Sequence, residues 1–342
     1  MAVHSERVQT QSPDTGKAAV ASIETSAAGG GVKGTPKKST RSAGGPGLGT
    51  RLAPYLLLLP ATVVTLGLLG WPLLKTVLVS FQNLNARQLV QHLTEWNGFE
   101  NYTEQLTNAE FWAVTGRTVA FTLINVLLIM VGGSLVGLLL NRLGKKMRLL
   151  LSIGLLLAWA MPVVAATTVY TWLFDIRFGV VNWFLDRLGW HSMADYNWTG
   201  TQYSTFFVII LLIVWGSIPF VAFNMYAGLT TIPKELYEAA RMDGAGAGKI
   251  FTSVIFPSLK PFFLATTFLE VIWVFKAFTQ VYAIKAGGPD SSTRTLPVHA
   301  FLEGTGAQHY GTGAAIAVLT ILMLGVLMAY YFRIILKQED EL

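Results

Sequence analysis

The chain has 342 residues, 52% hydrophobic and only 13% charged, with a mean hydropathy of +0.50, a net charge of +6 and no cysteine. Soluble domains carry about 25% charged residues, so the composition excludes an ordinary aqueous fold. The missing cysteines exclude disulfides, iron–sulfur clusters, thiolate zinc sites and a cysteine nucleophile.

Residues 1–50 are rich in Gly, Ser, Thr and Ala. They bury too little apolar surface to offset their ordering entropy and are expected to form a disordered tail. No short apolar stretch falls early enough for a cleaved signal peptide. Residues 51–336 then hold six apolar runs, at about 52–80, 111–140, 149–174, 206–229, 261–284 and 313–335. Each is long enough to cross about 30 Å of hydrocarbon as a helix. None shows the ten-residue alternation of barrel strands. Residues 337–342 remain as a short tail. The fold class expected is an all-α integral membrane protein with about six transmembrane helices.

The basic residues orient it. Seventeen of the 25 Lys and Arg residues lie in the two tails and in the loops around 142–148 and 234–260, against five (Arg87, Arg177, Arg187, Lys285, Arg294) on the other side. Both termini are therefore expected in the cytoplasm, and the basic excess implies no nucleic acid. Lys75 and Arg117 lie near the outer ends of the first two spans, where long stems snorkel. Lys276 and Glu270 lie deeper in the fifth span, and ionisable residues at such depth are functional candidates.

The loop at about 230–258 runs Thr-Thr-Ile-Pro-Lys-Glu-Leu-Tyr-Glu238-Ala239-Ala240-Arg241-Met-Asp243-Gly244 and on to Val254-Ile-Phe256-Pro257. Pro233 suits a first helical position, and Gly244 can end that helix. A second segment, 246–256, is expected to stop at Pro257. Such a helix–glycine–helix unit is shaped to dock into a groove of a soluble partner.

Glu238-Ala-Ala, Gly244 and Val254-x-Phe256-Pro257 resemble the E-A-A-x3-G-x9-I-x-L-P signature of binding-protein-dependent ABC importer permeases. Val and Phe replace Ile and Leu conservatively. The Pro-rich first run, Phe111-Trp112 and Gly287-Gly288-Pro289 are similar to the maltose-permease-like, carbohydrate-uptake branch over residues 52–335. The resemblance implies a type I importer permease fold in a bacterial plasma membrane. It makes the loop a pair of coupling helices seated in the ATPase, with Glu238, Ala239, Ala240, Arg241, Asp243, Gly244 and Pro257 at the matched positions. It further implies a second homologous permease, two copies of a cytoplasmic ABC ATPase and an extracytoplasmic sugar-binding protein, besides membrane lipid. ATP and magnesium would be bound by the ATPase, and no cofactor by this chain, which would be no enzyme.

Two sequence matches mislead. Asp243-Gly-Ala-Gly-Ala-Gly-Lys249-Ile250 lacks the leading glycine and the final hydroxyl of a phosphate-binding loop. The sequons at Asn101 and Asn197 carry no expected meaning in a bacterial importer.

On the fifth helix, Trp273, Lys276, Ala277 and Gln280 fall at i, i+3, i+4 and i+7 and are expected to share a face. A ring, an ammonium and an amide suit the apolar face and hydroxyl rim of a sugar. The resemblance adds that relatives often carry Asn and Asp near positions 276 and 279, from which Lys276 and Thr279 depart. Ser217 and Asn224, seven apart on the fourth helix, could line the same path. The rival reading is an ion-gradient-driven secondary transporter. It would need coordinating carboxylates within spans and broken helices in repeated halves. Only Glu270 lies deep in a span, and no repeat is visible.

Overall fold

The computed structural model describes residues 48–339. The expected disordered tail falls almost wholly outside the described residues, apart from Leu48, Gly49 and Thr50, which already belong to the first helix. Up to Pro60 only the opening of that helix is described; the residues from Ala61 onward form a compact unit of their own.

The first span runs as α1 (Leu48–Thr65), a π-turn at Leu66–Gly70, and α2 (Trp71–Val79). Pro72 sits in the first turn of α2, where its missing N–H is least costly and the wide turn relieves its ring. A short α3 (Glu100–Thr107) leads to α4 (Ala109–Arg142), capped by the Asn108 side chain, which accepts from the Glu110 N–H. At the far end of α4, Arg148 donates to the carbonyls of Leu140 and Leu143, satisfying acceptors that a helix end leaves free.

The third apolar run is not one helix. It divides into α5 (Lys145–Trp159) and α6 (Val163–Leu173), bent by 96°. The cause is Pro162, which lacks an N–H and disfavours the α conformation of Met161 before it. Despite the bend this run crosses the membrane. On α8 (Gln202–Thr231), contacts with α4 advance together in number. Phe121 meets Phe206, Gly133 meets Val221, and Gly137 meets Met225. The two long helices are therefore parallel, and the chain between them must return. It does so along α8. The Arg148 guanidinium lies over Tyr226, Tyr170 meets Trp215, and Phe174 meets Phe207. From residue 226 to residue 207 a helix covers about 28 Å, close to the hydrocarbon thickness of about 30 Å.

α9 (Lys234–Met242) follows α8, and a helix opening at Ala247 passes through a π-turn at Phe251–Ile255 into α10 (Phe256–Phe275). Pro257 therefore does not stop the second loop helix, as the sequence suggested. It occupies the first turn of α10, where proline is tolerated. α10 runs antiparallel to α8, with Gly228 against Phe262 and Phe220 against Trp273. After a break it continues as α11 (Thr279–Lys285). α12 (Leu296–Phe301) and a π-turn precede α13 (Tyr310–Glu339). α13 runs back along α10, where the Tyr331 hydroxyl donates to the Leu264 carbonyl at 2.6 Å. The described chain is helical, without a strand ladder among the described residues. It crosses six times, so the α4–α5 junction and the 232–256 loop share one face, while 80–108, 175–200 and 286–309 share the other.

On that second face, Arg117 does more than snorkel. Its Nη1 donates to the Ser291 carbonyl at 2.6 Å, holding the Gly-Gly-Pro loop to α4. Arg294 of the loop reaches Glu110 at 3.4 Å and Glu303 at 3.8 Å. Asn101 is buried, its amide donating to the Ser80 and Gln82 carbonyls, so that sequon is spent on packing.

Candidate functional site

Three helix irregularities meet in one place. Residues beside the α5–α6 elbow at Pro162, within one turn before the interior Pro219 of α8, and on either side of the α10–α11 break at Lys276–Phe278 line a cavity of about 260 Å³. Its walls include Trp159, Met161, Ile213, Ser217, Trp273 and Gln280. Pro219 has no N–H to give the carbonyl of Trp215, which also borders the cavity. Irregular backbone at membrane depth is tolerated where it is buried in protein or lines a wet cavity. The rings offer apolar faces; Ser217 and Gln280 offer hydrogen bonds. Trp273 is braced by Phe220, ring centroids 4.8 Å apart.

The break redistributes the residues that the sequence placed on one face. α10 ends at Phe275, and Lys276 is its capping residue with φ −90° and ψ 9°. Trp273 and Gln280 stay on the elbow cavity. Lys276 is exposed and turns to a second hollow, of about 400 Å³, formed with Phe278, Pro297, Phe301 and Thr320. Ala277 is buried. The single face of ring, ammonium and amide does not exist, because periodicity fails across a broken helix. Asn224 is absent from the cavity wall too, its amide donating to the Phe220 carbonyl one turn earlier. Of the five pathway candidates, the structure brings together Ser217, Trp273 and Gln280.

Trp159, Met161 and Ile213 were missed by the sequence reading. Pro162 in the middle of an apolar run was the signal that could have found the elbow. Glu270 is fully buried in α10 and has no ion-pair partner among the described residues. Ser217 is the polar group that approaches its carboxylate, without completing a hydrogen bond to either oxygen.

At the opposite end of α8 the loop has the helix–turn–helix form. α9 ends in a Schellman arrangement, with the Gly244 N–H donating to Arg241 and the Ala245 N–H to Ala240. Gly244 adopts φ +76°. Glu238, Ala239, Arg241, Asp243 and Gly244 are exposed, Ala240 is half-buried, and Met242 is 88% exposed. Between α9 and the next helix lies a hollow of about 530 Å³ lined by Leu236, Ala240, Asp243, Gly244 and Lys249. Pro257 stands apart from it, in α10. Tyr237 packs on the hydrophobic core of the helix bundle, and burial pushes its phenol above the usual tyrosine range. The unit thus has an anchored side and a bare side. Gly248-Lys249 lies in a helical turn after another helix, not in a strand-to-helix phosphate loop.

The family model described as "binding-protein-dependent transport system inner membrane component" matches residues 129–338. The diacetylchitobiose uptake system permease protein DasB of Streptomyces coelicolor is 63% identical over 334 residues, which is 98% of this chain and 99% of that one. The trehalose/maltose transport system permease protein MalF of Thermococcus litoralis is 32% identical over 282 residues, covering 82% of this chain and 92% of that one. Among solved structures, a chain of a bacterial ABC transporter importing the polysaccharide alginate superposes with a TM-score of 0.73 at 17% identity. It covers 84% of this chain and 97% of that chain, which establishes a shared fold.

Proposed function

The chain belongs to the binding-protein-dependent transport system inner membrane components, and from that premise we propose that it carries a short acetamido-sugar oligosaccharide across the plasma membrane. It is a transport subunit of an ATP-driven ABC importer and no enzyme. The 63% identity over 98% of the chain to a diacetylchitobiose permease carries the choice of sugar. The elbow cavity supports it chemically: Trp159 and Trp273 offer faces to pyranose rings, and Ser217 and Gln280 offer partners for hydroxyl and amide groups. Six crossings are too few to enclose a path on all sides, and a second homologous permease would complete it. An extracytoplasmic binding protein would deliver the sugar, and two cytoplasmic ATPase copies, binding ATP and magnesium, would seat α9.

The expected cytoplasmic face is the one bearing the 232–256 loop, because Arg142, Lys145, Lys146 and Arg148 lie on it with Lys234, Arg241 and Lys249. Uptake into proteoliposomes tests the cargo. The complete complex with ATP should accumulate diacetylchitobiose in preference to maltose; equal uptake of both would remove the acetamido preference. Uptake by this chain alone under an ion gradient would favour a secondary transporter. A Lys145→Cys variant should resist impermeant thiol reagents in intact cells, and labelling there would reverse the orientation.

A further inference from the structure

The segment 175–200 joins α6 to α8 on the face opposite α9. Its fold is locked from inside. The Asp175 carboxylate accepts from the Arg177 and Phe178 N–H groups, both at 2.9 Å, and those two bonds hold its pKa below the usual carboxylate range. A Cβ at Gly179 would fall 2.7 Å from the Leu173 carbonyl, so the turn there requires glycine. The segment then forms α7 (Val180–Arg187). Asn182, buried on its inner side, donates to the Ile176 and Tyr196 carbonyls and accepts from the Trp198 indole at 2.6 Å.

With Asn182 fixed inward, the opposite stripe of α7 is fixed outward, and it is the wrong stripe for water. Val180, Trp183 and Phe184, with Leu188 at the C-cap, fall at i, i+3, i+4 and i+8, the pattern of an apolar helix face. These four are 40, 60, 54 and 60% exposed. Arg187 at i+7 shares that face, with its guanidinium over the Trp183 ring. The amphipathicity is inverted: the amide points to the protein and the rings point away. The adjoining ends of the spans also carry exposed aromatic residues, at Trp172 of α6 and at Tyr203 and Phe207 of α8. These residues mark the level at which spans leave the hydrocarbon, where Trp and Tyr concentrate.

Charge distinguishes the occupant. Asp175 is engaged in the turn, and Asp186 pairs with His191 at 2.7 Å. Arg177 and Arg187 make no close ion pair among the described residues, although the Arg177 charge also helps lower the Asp175 pKa. Arg187 lies over the Trp183 ring at 5.7 Å. Arg177, Phe178, Trp183 and Asp186 border a cleft of about 370 Å³ beside the stripe. An apolar face that carries one guanidinium on it, Arg187, and a second, Arg177, beside it is complementary to acyl chains below lipid phosphates. A long stem can lie along the apolar surface while its charged head reaches the phosphate.

We propose that α7 is an interfacial helix seated in the headgroup layer of the leaflet opposite α9. Its Val180–Trp183–Phe184–Leu188 stripe lies against the acyl chains, and Arg177 and Arg187 hold anionic lipid phosphates. The anchor has a mechanical use. α6 is only 11 residues long and meets α5 at 96°. Tying its outer end to the membrane plane through α7 holds the elbow that shapes the cavity.

The test uses the assembled complex in lipid nanodiscs, with partner subunits free of reactive cysteine. Phe184→Cys and, separately, Leu188→Cys are labelled with an environment-sensitive fluorophore. Phospholipids brominated near the glycerol end of the chain should quench both labels more than phospholipids brominated near the terminal methyl. A label at Glu95→Cys, in the exposed outer loop, should be quenched by neither. Arg177→Gln with Arg187→Gln should lower the anionic lipid retained after purification. Absence of lipid quenching at both labelled positions would overturn the proposal. So would quenching in the isolated chain that disappears when the second permease or the binding protein is added, which would assign the stripe to a protein partner.

Discussion

Trp273 and Lys276 lie three residues apart and line different hollows, because α10 ends between them. On an unbroken helix they would be neighbours on one face. The break gives them separate expected phenotypes. Trp273→Ala removes a ring from the elbow cavity, and ring contacts are worth about 0.5–1.5 kcal/mol. Sugar uptake should fall a few-fold to about tenfold with the amount of assembled complex unchanged. Lys276→Met should leave uptake within about twofold of wild type, since a methionine keeps the stem and only the ammonium is lost. Equal loss from both variants would place Lys276 on the path as well.

The α4–α8 contact depends on Gly133. A Cβ there would lie 2.6 Å from Val221 Cγ1 and 3.3 Å from the Ala222 backbone nitrogen. Alanine gains about 1 kcal/mol of helix propensity over glycine, but overpacking costs about 1–3 kcal/mol. Gly133→Ala should therefore lower the melting temperature of the complex. Gly154→Ala, where a Cβ meets nothing within 4 Å, should not. Membrane helices commonly place small residues where backbones approach closely.

Gly244 presents the opposite case, open space with a demanding backbone. No atom lies within 4 Å of a Cβ built there, yet φ is +76°. The penalty for other residues is conformational, about 1–2 kcal/mol, and larger for β-branched ones. Gly244→Val should leave the complex assembled but reduce sugar-stimulated ATP hydrolysis. Gly244→Asn, which tolerates left-handed backbone, should retain most of it. Full stimulation in the valine variant would remove the turn from coupling.

His299 is the residue from which acid sensitivity is expected in the cluster with Arg294, Glu303 and Arg117. Its ring is 3% exposed, and neither nitrogen has a hydrogen-bond partner among the described residues. Burial lowers its pKa; Glu303 and Glu110 work against that, while Arg294 and Arg117 reinforce it. The fold thus favours the neutral ring, while an unfolded imidazole takes up a proton below about pH 6.5. The resulting stability is present above that pH and is lost as pH falls toward the folded-state value. Melting temperature should therefore drop as pH falls below about 6.5, and His299→Phe should flatten that dependence. An unchanged slope in the variant would assign the acid sensitivity to other groups.

The number of crossings, the approximate span limits and the loop with its turn glycine were legible in the sequence, each for a local reason. A run of about 20 apolar residues has one stable arrangement in hydrocarbon. Gly244 sits where a helix must end, and glycine reaches positive φ without strain. The elbow cavity was not legible. Pro162 and Pro219 were visible, but a proline within a span can kink, bend or be absorbed, as Pro257 was in the first turn of α10. Which of these happens depends on the neighbours that satisfy the freed backbone groups. The α10 break has no proline at all, so no local signal separated Lys276 from Trp273. Helical periodicity describes one helix at a time. Only the packing of α5 and α6 against α8, α10 and α11 decided which side chains meet, and that packing put Ser217, Trp273 and Gln280 around one cavity and turned Lys276 and Asn224 away from it.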